Sequence, residues 1–151
     1  MNPAKRNQLV LCLIAIACFV HVLVFRGKVN MDIPIVKRIL FAILALAVTL
    51  PVHELIHFLL MNLFGAKDVK IEVAKDPLGF PSLRTIGRGE LPAWKRIIVL
   101  LAPFFILTLV PDVLFLSMEK VEIFFFIVAM GNSAGCCFDI ADVIGILISQ
   151  R

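Results

Sequence analysis

His53, Glu54 and His57 stand at a spacing that can do hydrolytic chemistry. In the run His53-Glu54-Leu55-Ile56-His57 two imidazoles fall at i and i+4, so on a helix they share one face, one turn apart. Both rings can then reach a single tetrahedral zinc ion while the Glu between them turns toward a water at the ion's open position. The neighbours of the motif are Leu, Ile, Phe, Ala and Val, a setting in which ionisable side chains are costly and usually functional. Metal-assisted hydrolysis, with Glu54 moving the proton, is the chemistry this pattern implies.

The elements that must hold these groups are apolar. Of 151 residues 61% are hydrophobic and 17% charged, which excludes an ordinary soluble domain, and the mean hydropathy is +1.02. The net charge of +4 is carried by residues flanking apolar runs and forms no stripe of its own. It therefore suits anionic lipid headgroups, and no nucleic-acid partner is expected. Cys12, Cys18, Cys136 and Cys137 show no C-x-x-C spacing and lie in apolar stretches, so buried reduced thiols are expected.

Four stretches, about 8–25, 38–64, 96–118 and 122–149, meet the requirement of about 20 residues per spanning helix. The expected fold is an all-α membrane protein of one domain, with four transmembrane helices and a short cytoplasmic β-hairpin in the loop 65–94. Arg26-Gly27-Lys28 closes the first stretch like a stop signal, so that stretch reads as a retained anchor. With four spans, one side carries ten basic residues (Lys5, Arg6, Lys67, Lys70, Lys75, Arg84, Arg88, Lys95, Arg96, Arg151). The other side carries five (Arg26, Lys28, Lys37, Arg38, Lys120), which places both termini and the 65–94 loop in the cytoplasm of a multi-pass cell-membrane protein.

In that loop Val69, Ile71 and Val73 alternate with Lys70 and Glu72, a strand pattern. Asp76-Pro77-Leu78-Gly79 supplies a turn, and Ser82 to Ile86 returns as a second strand. Such a hairpin either only connects two helices or offers an edge to which an unfolded substrate segment adds as a strand. Pro81 suits an edge strand, because it lacks the N–H that a central strand needs.

Depth singles out a third ligand. His53 and His57 lie 11 and 7 residues before Phe64, roughly 10–17 Å from the inner end of their helix at 1.5 Å per residue. Asp139 lies 10 residues before Ser149, roughly 15 Å from the inner end of the last helix. Asp142, three residues on, shares much the same face and is the alternative ligand, although its depth matches less well. His21 and Asp112 fall near the outer ends of their helices. Two His and one carboxylate with the fourth position open form a catalytic rather than a structural zinc set.

Asn132, two turns before Asp139, either donates to substrate backbone or a developing oxyanion, as a catalytic group, or only joins helices. Gly131 and Gly135 form a G-x-x-x-G that permits close helix approach. Pro51, just before the motif, is expected to loosen its helix and free backbone groups for water. Glu54, Asp139 and Asp142 would together cost roughly 5–10 kcal/mol in the membrane if unpaired. Structural zinc binding contributes on the order of 10–16 kcal/mol in peptides, enough to offset this.

HELIH, then Phe64-Gly65-Ala66-Lys67, then Lys95-Arg96 leading into Leu100-Leu101-Ala102-Pro103, then Asn132 and Asp139, resembles the core of the site-2 protease family of intramembrane metalloproteases. The pattern is still more similar to small bacterial membrane proteins classed as zincin peptidases, and covers about residue 38 to the C-terminus. Phe138-Asp139-Ile140 stands where site-2 proteases have L-D-G, and Asn132-Ser133 where an Asn-Pro pair is frequent. The resemblance implies that His53, His57 and Asp139 bind zinc and that Glu54 activates water.

The function expected is hydrolysis of peptide bonds in membrane-embedded or membrane-adjacent substrates. The alternative is a non-enzymatic membrane protein that binds metal or a partner (a carrier, an immunity protein or a degenerate protease), which would tolerate Glu54→Gln.

Overall fold

An apolar segment that meets no water must satisfy its own backbone hydrogen bonds, and a helix does so within one segment. The computed structural model describes residues 3–75, 81–89 and 91–149 and is built mainly of such helices. In chain order they are α1 (Pro3–Phe25), α2 (Ile35–Leu63), α3 (Ala93–Phe104), α4 (Val110–Ser117) and α5 (Ile123–Ser149). Four described segments are long and apolar enough to cross a membrane: Lys5–Phe25, Ile35–Leu63, Ala93–Ser117 and Ile123–Ser149. All fall within a few residues of the stretches read from hydropathy. Large apolar side chains point outward all round, among them Phe19, Val36, Leu63 and Leu116. That is the surface a lipid solvent accepts and water does not. α5 is the central helix, with 39% of its span buried against 17% for each of the others.

The third span is two helices rather than one. A wider π turn, Phe105–Leu109, separates α3 from α4, and Pro103 and Pro111 bracket it. Each proline lacks an N–H and crowds the carbonyl four residues back, so the regular ladder cannot continue unbroken. On the opposite side from the hairpin, Val29–Asn30 (β1) pairs in parallel with Val121–Glu122 (β4). Lys28 Nζ beside it lies 3.3, 2.6 and 3.1 Å from the carbonyl oxygens of Phe115, Leu116 and Met118. A cation there satisfies orphan carbonyls at the end of α4. A Phe25, Phe115, Val121, Phe126 and Ala129 cluster fills this end, while Val10, Cys137 and Ala141 join α1 to α5 nearer the other. All four cysteines are free, but only Cys136 and Cys137 are buried as expected; Cys12 is exposed and Cys18 half-buried.

The hairpin pairs β2 (Lys67–Lys75) antiparallel with β3 (Pro81–Arg88), in register from Lys75↔Pro81 to Lys70↔Ile86. The expected turn at Asp76 to Gly79 lies outside the described residues, as does Arg151. The direction of the hairpin is set at the end of α2. Gly65 adopts φ +85°, its N–H donates to Asn62 O, and that of Ala66 donates to Met61 O. This left-handed cap turns the chain back on itself. Instead of standing clear of the helices, β3 lies along α2. At Gly87 a Cβ would come within 2.8 Å of Met61 Cε, so a larger residue there would make the Met61 side chain shift.

Gly131 also sits close to its neighbour, a Cβ there meeting Leu46 Cδ2 at 3.1 Å. Gly135 packs against nothing and instead opens onto a cavity. The glycine pair thus has two tasks, close approach to α2 and space beside it.

Candidate metal centre

α2 carries His53 and His57 to its buried face, one turn apart, and α5 brings Asp139 against them. Their three free ligand atoms form a triangle: His53 Nε2 to His57 Nε2, 3.0 Å; His53 Nε2 to Asp139 Oδ2, 3.2 Å; His57 Nε2 to Asp139 Oδ2, 3.6 Å. Tetrahedral zinc with bonds near 2.0–2.1 Å separates its ligands by about 3.3 Å. The triangle brackets that value.

The protons in this cluster can be placed from acceptors alone. His53 Nδ1 lies 2.9 Å from Asn132 Oδ1 and His57 Nδ1 lies 2.9 Å from Val99 O. Both oxygens can only accept, so each Nδ1 donates, and each neutral ring is left with a lone pair on Nε2. The two lone pairs face each other and the buried Asp139 Oδ2, which has no hydrogen-bond donor among the described residues. Three electron-pair donors converging without a shared proton repel one another unless a cation sits between them. The donor set therefore fits zinc: two imidazoles and one carboxylate, the fourth direction left to the cavity.

The partners behind the ligands come from α3 and the π turn. Pro103 has no N–H to give the carbonyl four residues earlier, which is Val99 O. That freed oxygen is the one that takes the His57 proton. Asn132 is 1% exposed; its Nδ2 donates to Pro103 O at 2.9 Å and Thr108 Oγ1 at 3.0 Å. Thr108 in turn donates to Ala129 O. With both amide protons engaged and its oxygen on His53, Asn132 has no proton left for an oxyanion. Of the two roles expected for Asn132, these contacts favour the one that joins helices and positions His53, because its amide protons are taken up inside the bundle. Cys136 Sγ lies 3.4 Å from Asn132 Nδ2 and 4.0 Å from His53 Nδ1. That is the side of the ring Asn132 already holds, so Cys136 is poorly placed to join the triangle.

Glu54 lies at the rim, with a carboxylate oxygen within 4.8 Å of both histidine ligand atoms. Its Oε2 accepts from Thr85 N at 2.6 Å and from Thr85 Oγ1 at 2.8 Å, tying α2 to β3. Nothing in the spacing of Thr85 announced this contact. Arg6 was equally unmarked: its Nη2 donates to Asp142 Oδ1 at 2.6 Å. Asp142 is thereby occupied away from the imidazoles, and Asp139 alone reaches them. His21 and Asp112 pair with each other at 3.0 Å, between Phe25 and Phe126 and apart from this centre.

A cavity of about 260 Å³ opens beside the triangle, lined among others by Thr49, Glu54, Leu83, Gly135 and Asp139.

A model of a family described as "Putative zincin peptidase" matches residues 46–151, which include every residue of the triangle, Glu54 and the hairpin. Only α1, β1 and the first part of α2 fall outside it. No curated protein and no solved structure matches the chain. With some two-thirds of its length under that model, the chain belongs to the family so described.

Proposed function

We propose that this chain is an intramembrane zinc peptidase acting on membrane-embedded or membrane-adjacent polypeptides. The observation that carries the reading is the triangle of His53 Nε2, His57 Nε2 and Asp139 Oδ2, at 3.0–3.6 Å, beside an open cavity. Those three residues would hold the zinc. Bound there, zinc supplies Lewis acidity to a carbonyl oxygen and lets water act as a nucleophile near neutral pH.

The chain's own groups supply the rest. Glu54 takes the proton from the attacking water and returns it to the leaving amine. Thr85 holds Glu54 Oε2 by two donors and so fixes the carboxylate's orientation. Val99 O and Asn132 Oδ1 fix the imidazole tautomers. β3 offers the substrate backbone its partner. Thr85 N faces Glu54, and in an antiparallel strand Leu83, two residues away, directs its N–H and C=O to the same unpaired edge. A substrate segment unwound from its helix can add there as a strand, within reach of the triangle.

Glu54 lies nine residues before Leu63, about 13 Å along α2. The hairpin contact at Glu54 therefore supports a hairpin that dips to the depth of the site, bringing polar edge and water into an otherwise apolar layer. The Lys/Arg balance supports cytoplasmic termini.

The test uses detergent-purified protein with metal analysis and cleavage of an unfolded apolar reporter polypeptide. Wild type is expected to carry one zinc per chain and to cleave in a chelator-sensitive manner. The double substitution His53→Ala/His57→Ala should lose the metal, and Glu54→Gln should keep it while cleavage disappears. A carrier or partner-binding protein would bind zinc and show no Glu54-dependent cleavage, and that outcome rejects the enzyme.

A further inference from the structure

A second cavity, about 470 Å³, is lined by Arg84, Arg96, Leu100, Asp142, Ile146 and Ser149, among others. Arg84 and Asp142 also line the cavity at the metal centre, so the two spaces meet at these side chains. The charge balance there is lopsided. Asp142 is already neutralised by Arg6 at 2.6 Å. Arg84 and Arg96 are exposed, and their side chains have no acidic partner and no hydrogen-bond acceptor among the described residues. Beside them are apolar walls from Leu100 and Ile146. A pair of guanidinium groups beside apolar walls fits a carboxylate carried on an apolar chain, because the planar fork donates two parallel hydrogen bonds to it.

The position of Arg84 says which carboxylate. It directly precedes Thr85, whose N–H is 2.6 Å from Glu54 Oε2. A polypeptide laid along the free edge of β3 passes Arg84 within a residue or two of the bond at the metal centre. We infer that this cavity is a specificity subsite that receives a peptide carboxylate, either an acidic side chain or the chain terminus, next to the scissile bond. The inference rests on the peptidase reading and extends it to a substrate class.

The experiment measures binding rather than cleavage. Zinc-loaded Glu54→Gln protein in detergent is titrated with fluorescein-labelled Ala/Leu peptides, identical except for one Glu, Gln or Lys moved along the chain. A further pair differs only in a free or amidated C-terminus. At one position, or at the free terminus, the acidic peptide is expected to bind about tenfold tighter than its neutral twin. The ratio should fall toward one in Arg96→Gln and in Arg84→Gln, and Arg96→Glu should favour the Lys peptide. Zinc content reports whether each variant is folded. Equal binding of acidic and neutral peptides, or a preference that survives both arginine changes, overturns the subsite and leaves the peptidase reading intact. If no peptide of any charge binds, the peptidase reading falls and the subsite with it. Retention of phosphatidylglycerol that depends on both arginines, without any acidic-peptide preference, gives the cavity to a lipid phosphate and also overturns the proposal.

Discussion

Replacing Asn132 by Ala separates two roles the residue can have. The change strips the acceptor from His53 Nδ1 and the donor from Pro103 O, each at 2.9 Å and both buried. An unsatisfied buried polar group costs about 1–3 kcal/mol, so the two together predict about 2–6 kcal/mol of lost stability. Thr108 loses a donor but keeps its bond to Ala129 O, and adds little. The free His53 ring can also adopt the other tautomer, which places a proton on the nitrogen that faces the metal. Loss of such an orienting partner typically lowers metal affinity about 10–100-fold. Asn132→Asp keeps an acceptor for His53 and should recover most of that affinity, although its carboxylate then faces Pro103 O. Competition with a zinc chelator measures affinity, and cleavage at saturating zinc measures the chemistry. Should Asn132→Ala hold zinc as wild type does yet lose cleavage by two orders of magnitude, its amide would act on the reacting groups. The positioning argument would then be wrong.

Three further outcomes are expected. Asp139→Asn should weaken zinc binding beyond the ~100-fold typical of orienting partners, while Asp142→Asn, which breaks only the bond to Arg6, should leave it unchanged in the same chelator competition. Pro103→Ala returns an N–H that competes with His57 for Val99 O, so zinc affinity should fall about two- to fivefold even as the helix propensity of α3 improves; an unchanged affinity would show that the proline has no part in holding His57. Thr85→Val removes one of the two donors on Glu54 Oε2 and keeps the backbone N–H. Its cleavage rate should drop about tenfold with zinc content unaltered, and loss of zinc instead would place Thr85 in the metal site.

Features governed by local periodicity and length were legible in the residues. A run of apolar side chains must be helical when it is long enough to span, and helical rise is constant. Counting from the ends therefore put His53, His57 and Asp139 at one level, and the i, i+4 spacing put the imidazoles on one face. The alternation in β2 marked the hairpin. Rotation about a helix axis, by contrast, is decided by packing: depth favoured Asp139 over Asp142, but the two lie three residues apart on nearly the same face, and which carboxylate meets the imidazoles was left to the fold. The Arg6 pairing and the histidine contacts made that choice. Asn132 could be read either as a donor to substrate or as a group that joins helices, because its buried acceptors lie 29 and 24 residues away. The return of the hairpin along α2 and the grip of Thr85 on Glu54 span 31 residues. The freed carbonyl of Val99 had a visible cause in Pro103, but its recipient, His57, lies on another helix. Contacts between elements depend on how whole surfaces fit, and a linear pattern of residue types carries little of that information; the spacing and depth of the candidate ligands were therefore written locally, and the network that orients them arose only on folding.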